Sequence, residues 1–475
     1  MSSVKLLLWA GVALGVVAAL YLFYRHLPYF GNVSLLGGAL MLEILIASIW
    51  KYEERFFVLL MIAFVWAGMA IPLQEAWRGG GRWLVLAGGA VVGFIVWTKV
   101  PRRPFGTMHL MAFFCVSAAF VSATISTWVQ MASLKALSLF LLFTYCASGG
   151  RLAVLGREDR FFRGLLWGCE LTVYITAVAY FGLGDSIWGN PNSLGAAMSI
   201  GVFPVLLWGW FTDDRPGEKL RRLAALLLCT YLVYFSVARA AMVSTVVVTL
   251  VFCVCLHQYR LLVKVMAFGL VLIAINGMVD PGALNNRLDG VTDAVLYKGH
   301  KEGGLLGSRK TPWEKTKTSI KEHPWFGTGY GTAPTGEDPG SSFGIVSSTA
   351  ETSREHGSSY MAIAEWLGLL GVLPFVAILA LTAANVWKVC RWTWRTGNPR
   401  HYSIPLALVV MSGFIHASFE DWLFAVGAYP CVFFWVFAFL LADLTPGAAE
   451  APLANVVPRP ARPARAGFGT IVPYS

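Results

Sequence analysis

Charge is what this chain has least of: 13% of its 475 residues are Asp, Glu, Lys or Arg, against roughly a quarter in an ordinary soluble domain. With 57% of residues hydrophobic, that scarcity excludes a string of soluble domains and fits a bundle buried in lipid, which needs charge only at its loops and working site. Metal-ligating patterns are missing too, since no HxxE, HExxH or CxxC arrangement occurs. The eight cysteines fall in apolar runs and none in the polar stretch, so they read as small buried hydrophobes rather than a disulfide framework. Neither a solenoid or propeller period nor a clear inverted repeat is visible.

What is present is a succession of apolar runs close to the roughly 20 residues that span a bilayer. Fourteen candidates lie near 5–24, 32–50, 56–73, 83–98, 107–126, 133–148, 162–183, 193–211, 222–237, 239–257, 262–278, 358–387, 402–418 and 425–443. The first continues into Tyr24-Arg25-His26 without a small-residue cleavage site and is kept as an anchor. The runs at 83–98, 133–148 and 222–237 are short, and 358–387 is long enough to tilt or to begin outside the membrane.

The expected fold class is an all-α polytopic membrane protein with about 12–14 transmembrane helices and one large, partly helical periplasmic loop. Its divisions are helices 1–11 over residues 1–277, the loop over 278–357, helices 12–14 over 358–443 and a disordered tail over 444–475.

Orientation follows from the basic residues. The loops beginning at Lys51, Lys99, Arg151, Arg215, Arg260 and Lys388, and the tail with Arg459, Arg462 and Arg465, hold most of them, whereas the opposite short loops hold Arg25, Arg78, Arg82, Lys135 and Arg239. Basic loops mark the cytoplasmic side, so both termini are expected there and the polar island from Met278 to His356 outside. The net charge of +11 is thereby explained by topology, with no call for nucleic acid. Within spans, Glu43, Lys135, Glu170 and Glu365 stand out; Glu170 and Glu365 either line a cavity or are satisfied by a neighbouring hydroxyl or Trp N–H.

Polar chemistry collects on the outer face. Arg239 sits between two apolar runs with almost no loop, either snorkelling or holding an anion, and the small residues beside it leave space for a ligand. The outward loop Trp188-Gly189-Asn190-Pro191-Asn192-Ser193 is turn-rich, with Asn192 or Ser193 placed to cap the next helix. Thr311-Pro312-Trp313-Glu314 reads as a capping box with proline at the first helical position, predicting a helix over 312–322. Arg309 and Lys310 lie just before its free N–H groups, a combination that suits a phosphate as well as a solvated surface helix. Gly327-Thr328-Gly329-Tyr330-Gly331 reads as a turn, lacking the Lys-Ser/Thr of a phosphate loop. His356 ends the island at the membrane surface, where its pKa class suits a general base. His416, Glu420, Asp421 and Trp422 add polar groups from a later outward loop.

Three of these segments together resemble the O-antigen ligase and O-antigen polymerase superfamily: the Gly189-Asn190-Pro191-Asn192 loop, the Ser236 to Arg239 helix start, and the large loop closing on a His before a Gly-rich helix. Arg309, Trp313 and His323-Pro324-Trp325-Phe326-Gly327-Thr328-Gly329 are similar to the family's Arg, Trp and Pro-x-x-Gly-x-Gly pattern. The ligase signature would follow as Ser358, Gly368 and Gly371, with Gly357 interposed after His356.

The resemblance implies a metal-independent, cofactor-free glycosyltransferase of the bacterial inner membrane. It would move a glycan from undecaprenyl diphosphate to a glycan or lipid acceptor, with His356 catalytic, Arg239, Arg309 and Lys310 on the diphosphate, and Asn190, Asn192, Tyr360 and Glu420 as possible substrate contacts. An O-antigen or exopolysaccharide polymerase is preferred because of Gly357. A ligase to lipid A-core and a protein oligosaccharyltransferase remain alternatives, and a lipid-linked glycan flippase is the alternative of another class.

Overall fold

A computed structural model of the chain describes residues 52–69, 75–99, 105–182, 184, 187–263, 307–332 and 354–447. The described residues form helices and turns, with no strand among them. We label the helices α1 Tyr52–Gly68, α2 Glu75–Lys99, α3 Thr107–Thr124, α7 Pro216–Phe235, α8 Arg239–Cys255, α9 Gly307–Glu322, α10 Ser359–Thr396, α11 Ser403–Ala417 and α12 Tyr429–Leu444. Between α3 and α7 run α4 Val129–Val154, α5 Glu158–Gly182 and α6 Pro191–Thr212. Among the described residues six helices are long and apolar enough to cross a membrane, and four shorter apolar ones join them, so the chain is an all-α multi-pass membrane protein. The apolar runs at 5–24 and 32–50, Glu43, nearly all of the run at 262–278, and the tail beyond 447 lie outside the described residues.

The short runs at 83–98, 133–148 and 222–237 extend as helices α2, α4 and α7 because polar residues at their ends continue the helical turns into the interface. The centre of the bundle is α12, apolar on every side and buried along most of its length, as expected of a helix with no lipid face. At its end Asp443 is held by the buried Arg151 at 2.7 and 2.8 Å, and the Arg151 guanidinium lies 4.4 Å over the Trp97 ring. The second central element, α6, carries a π-helical stretch at Ala197–Val202. Its loosened backbone is met from α11, where the Ser412 hydroxyl donates to the Ser199 carbonyl at 2.7 Å.

Helix α10 is broken. Gly368 sits at φ 61°, ψ −172° inside it, so a buried first section precedes the long membrane-crossing one. The backbone groups freed by the break are satisfied by the segment after α9: Thr328 N–H donates to Glu365 O at 2.9 Å, Gly329 N–H to Trp366 O at 3.2 Å, Leu369 N–H to Pro324 O at 2.8 Å and Leu370 N–H to Trp325 O at 3.1 Å. The glycine run is thus a turn, but one that fits backbone against backbone. A Cβ on Gly368 would lie 2.5 Å from the Gly327 nitrogen.

Of the intramembrane carboxylates, Glu170 is paired with Arg221 at 2.9 Å, a cation in place of the expected hydroxyl or Trp N–H. Seven of the eight cysteines are buried and Cys390 is partly so, all of them free thiols.

Candidate functional site

The starts of α6, α8 and α10 come together beneath α9, joined by the turn between α11 and α12. That turn is pinned from three sides. Ser359 Oγ donates to Glu420 O at 2.6 Å and accepts from Leu423 N–H at 3.0 Å, Trp435 Nε1 donates to Leu423 O at 2.7 Å, and Tyr330 OH donates to Phe424 O at 3.0 Å. Glu420 and Asp421 are therefore carried on a rigid support.

His356 is 1% exposed. Asp421 Oδ2 accepts from its backbone N–H at 3.0 Å and lies 3.1 Å from its Nδ1. This fixes the tautomer with the proton on Nδ1 and leaves Nε2 as the basic nitrogen. Nε2 stands 3.6 Å from Glu365 Oε2, beyond hydrogen-bond length, and has no hydrogen-bond partner. The edge of Trp366 packs on the imidazole, ring centres 5.3 Å apart. Burial alone pushes the imidazole pKa down, but the hydrogen bond to Asp421 and the negative charges of Asp421 and Glu365 outweigh it and hold the pKa above the ordinary histidine value. Burial likewise raises Asp421, yet its contacts with His356 bring its pKa below the usual carboxylate value. Glu365 is also paired with Arg354, so its expected partner, a hydroxyl or a Trp N–H, is replaced by a cation and an imidazole.

Arg309 points its guanidinium at two carboxylates, Glu355 and Glu420. Asn192 Nδ2 donates to the same Glu420 at 3.3 Å, tying the start of α6 to the cluster. Arg239, at the first turn of α8, is near enough for its charge and that of Arg309 to act on each other. Burial raises the Glu420 pKa, Arg309 opposes that, and Glu355 and Asp421 add to it, so the carboxyl stays above its usual value.

The turn that places Arg239 is strained and tightly packed. Val237 stands at φ 50°, a left-handed conformation rare for a β-branched residue. The small residues around Arg239 make no room for a ligand. Ala238, Ala240 and Ala241 are buried, and Gly195 of α6 packs onto Ala238 and Ala241, where a Cβ would come within 2.5 Å of Ala238 Cβ.

Two further expectations change. Helix α9 begins at Gly307 and carries Pro312 inside it, so no N-terminal N–H groups are free at Thr311. Arg309 acts through its side chain, and Lys310 is exposed to solvent. Asn190, not Asn192 or Ser193, caps α6, its Oδ1 accepting from Ser193 N–H at 2.7 Å. The Tyr360 hydroxyl donates to Phe414 O at 2.9 Å.

Residues that sequence reasoning did not assign to the site are Asp421, Glu365, Arg354 and Glu355. Asp421 had one signal, its place beside Glu420 on an outward loop; pairing with His356 needs the fold. Gly357 also finds its reason here. It lies at φ 71°, where a Cβ would come within 3.1 Å of Trp313 Nε1 and 3.2 Å of Arg309 Cδ, and its carbonyl accepts from Trp313 Nε1 at 3.2 Å. The inserted glycine lets the chain turn over Trp313 and Arg309.

Residues 224–376, the stretch holding Arg239, Arg309 and His356, match the family model described as O-Antigen ligase. This match supports the O-antigen ligase and polymerase superfamily and an activity of that general type. No curated protein matches the chain.

Proposed function

We propose that this protein is an inverting glycosyltransferase that moves a glycan from undecaprenyl diphosphate to an acceptor hydroxyl at the periplasmic face of the bacterial inner membrane. The observation that carries the reading is the adjacency of an arginine pair, Arg309 and Arg239, to a buried His356–Asp421 pair. Arginine binds phosphate oxygens in forked hydrogen bonds. Arg309 is paired with Glu355 and Glu420, and Glu355, 60% exposed, is the carboxylate a diphosphate would displace.

In the proposed reaction the acceptor oxygen forms a bond to the anomeric carbon as the bond from that carbon to the diphosphate oxygen breaks. The electron pair leaves with undecaprenyl diphosphate, whose growing charge the two arginines stabilise. The acceptor proton passes to His356 Nε2, and Asp421 and Glu365 stabilise the imidazolium that forms. Because His356 is buried, Nε2 meets the acceptor only when the segment from Arg354 to Gly357 moves. Displacing Glu355, its neighbour in the chain, supplies that movement. Lys310, solvent-exposed at the edge of the cluster, attracts the anion without touching the reacting atoms.

The preferred acceptor is a second lipid-linked glycan, making the protein an O-antigen or exopolysaccharide polymerase. The family description favours a second reading, a ligase transferring to a lipid acceptor. Incubating purified protein in detergent with a lipid-diphosphate glycan tests both. Glycan lengthening on the lipid carrier supports polymerase, transfer only when an acceptor glycolipid is added supports ligase, and no turnover in either mixture overturns the enzyme reading.

A further inference from the structure

At the ends of α6, α8 and α10 opposite those beside His356 lies a cavity of about 550 Å³ lined by Trp210, Phe211, Lys219, Leu256, Arg260 and Leu261, among others. Its two cations differ from their neighbours. The acidic groups around them are already engaged: Asp213 with Arg222 at 2.8 Å, Glu218 with Arg215 at 3.2 Å, Glu170 with Arg221 at 2.9 Å and Asp214 with Arg400 at 2.6 Å. Lys219 and Arg260 have no ion pair among the described residues, so within that part of the chain the cavity presents two positive charges without an acidic partner.

The surroundings say which anion suits it. Leu220, Tyr259, Val263 and Trp394, each next to or near a lining residue in the chain, are exposed apolar side chains. In a bundle of this kind they face lipid, and the aromatic pair marks the interface. We propose that this cavity binds a phosphate-bearing anion, and that the apolar rim assigns it to the headgroup of an anionic phospholipid. Lys219 and Arg260 engage the phosphate while the acyl chains lie against Leu220 and Val263. A soluble phosphate would gain nothing from that rim. The site holds whether or not the proposed transferase reaction does, since it uses none of its residues.

The test is native mass spectrometry of the full-length protein in neutral detergent with phosphatidylglycerol, phosphatidylethanolamine or inorganic phosphate. Wild-type protein is expected to retain phosphatidylglycerol and neither of the others. The Lys219→Gln/Arg260→Gln variant should lose affinity for it by about tenfold or more, with an unchanged melting temperature in lipid-free detergent. Lys317→Gln/Lys321→Gln on α9 should retain it like wild type. If the double variant melts early, the two single substitutions are measured instead. Retention undiminished by removal of the cations, or equal retention of phosphatidylethanolamine or of free phosphate, overturns the proposal.

Discussion

His356 and Asp421 meet twice on one oxygen: Asp421 Oδ2 lies 3.0 Å from the backbone nitrogen of His356 and 3.1 Å from its Nδ1. The carboxylate therefore sets both where the chain runs and which ring nitrogen is basic.

A pH profile follows from that pair. His356 titrates above the ordinary histidine value, so transfer should rise with pH through a limb lying above about 6.5. Asp421→Asn removes a charge and an acceptor that favour the imidazolium, so its limb should move to lower pH while kcat falls about tenfold to a hundredfold. In stability the sign runs the other way. A raised histidine pKa adds stability that is complete below the unfolded value and fades as pH rises through the folded one. Thermal unfolding across pH 5 to 8, with His356→Gln as reference, reads this separately from catalysis.

Arg309 and Glu355 should act in opposite directions. Arg309→Gln is expected to lower transfer about 10²- to 10³-fold and to weaken inhibition by inorganic pyrophosphate. Glu355→Gln removes a competing carboxylate and should strengthen that inhibition. Steady-state inhibition curves check both, and equal inhibition in all three proteins would sink the anion-site assignment.

Two glycines should differ in how much they bear. Gly357→Ala forces an L residue to φ 71° beside Trp313 and Arg309, costing about 1–3 kcal/mol. Gly368→Ala places a Cβ 2.5 Å from the Gly327 backbone nitrogen, where nothing flexible can yield, and should cost more. Detergent melting temperatures rank them.

Orientation is read by labelling. Lys310→Cys should react with a membrane-impermeant maleimide on intact spheroplasts, and Asn398→Cys only after permeabilisation, because the two exposed positions flank opposite ends of α10. Reversed labelling would turn the proposed topology over.

Much of the fold was legible. Within the described residues the apolar runs named the helices because lipid permits no other backbone solution for a single spanning segment, while the boundaries shifted in both directions: polar residues prolonged α7 back to Pro216, whereas α1 stops at Gly68 and α12 begins only at Tyr429. Helix α9 shows the limit: Thr311-Pro312 carries a strong start signal, yet the helix begins at Gly307. The long run at 358–387 announced an unusual length but not its break. Gly368 reads as one glycine among several until Gly327 is seen against it.

The residue chemistry alone determined that this is a membrane-embedded helical protein with cationic and imidazole groups at the same end of its helices, since period, length and charge scarcity are local properties. Only the tertiary structure decided what each group meets. Arg239 and Arg309 are 70 positions apart in the chain, and His356 finds Asp421 across 65. Which carboxylate lies 3 Å away depends on how α6, α8, α10 and the α11–α12 turn pack, and packing is a property of all of them at once.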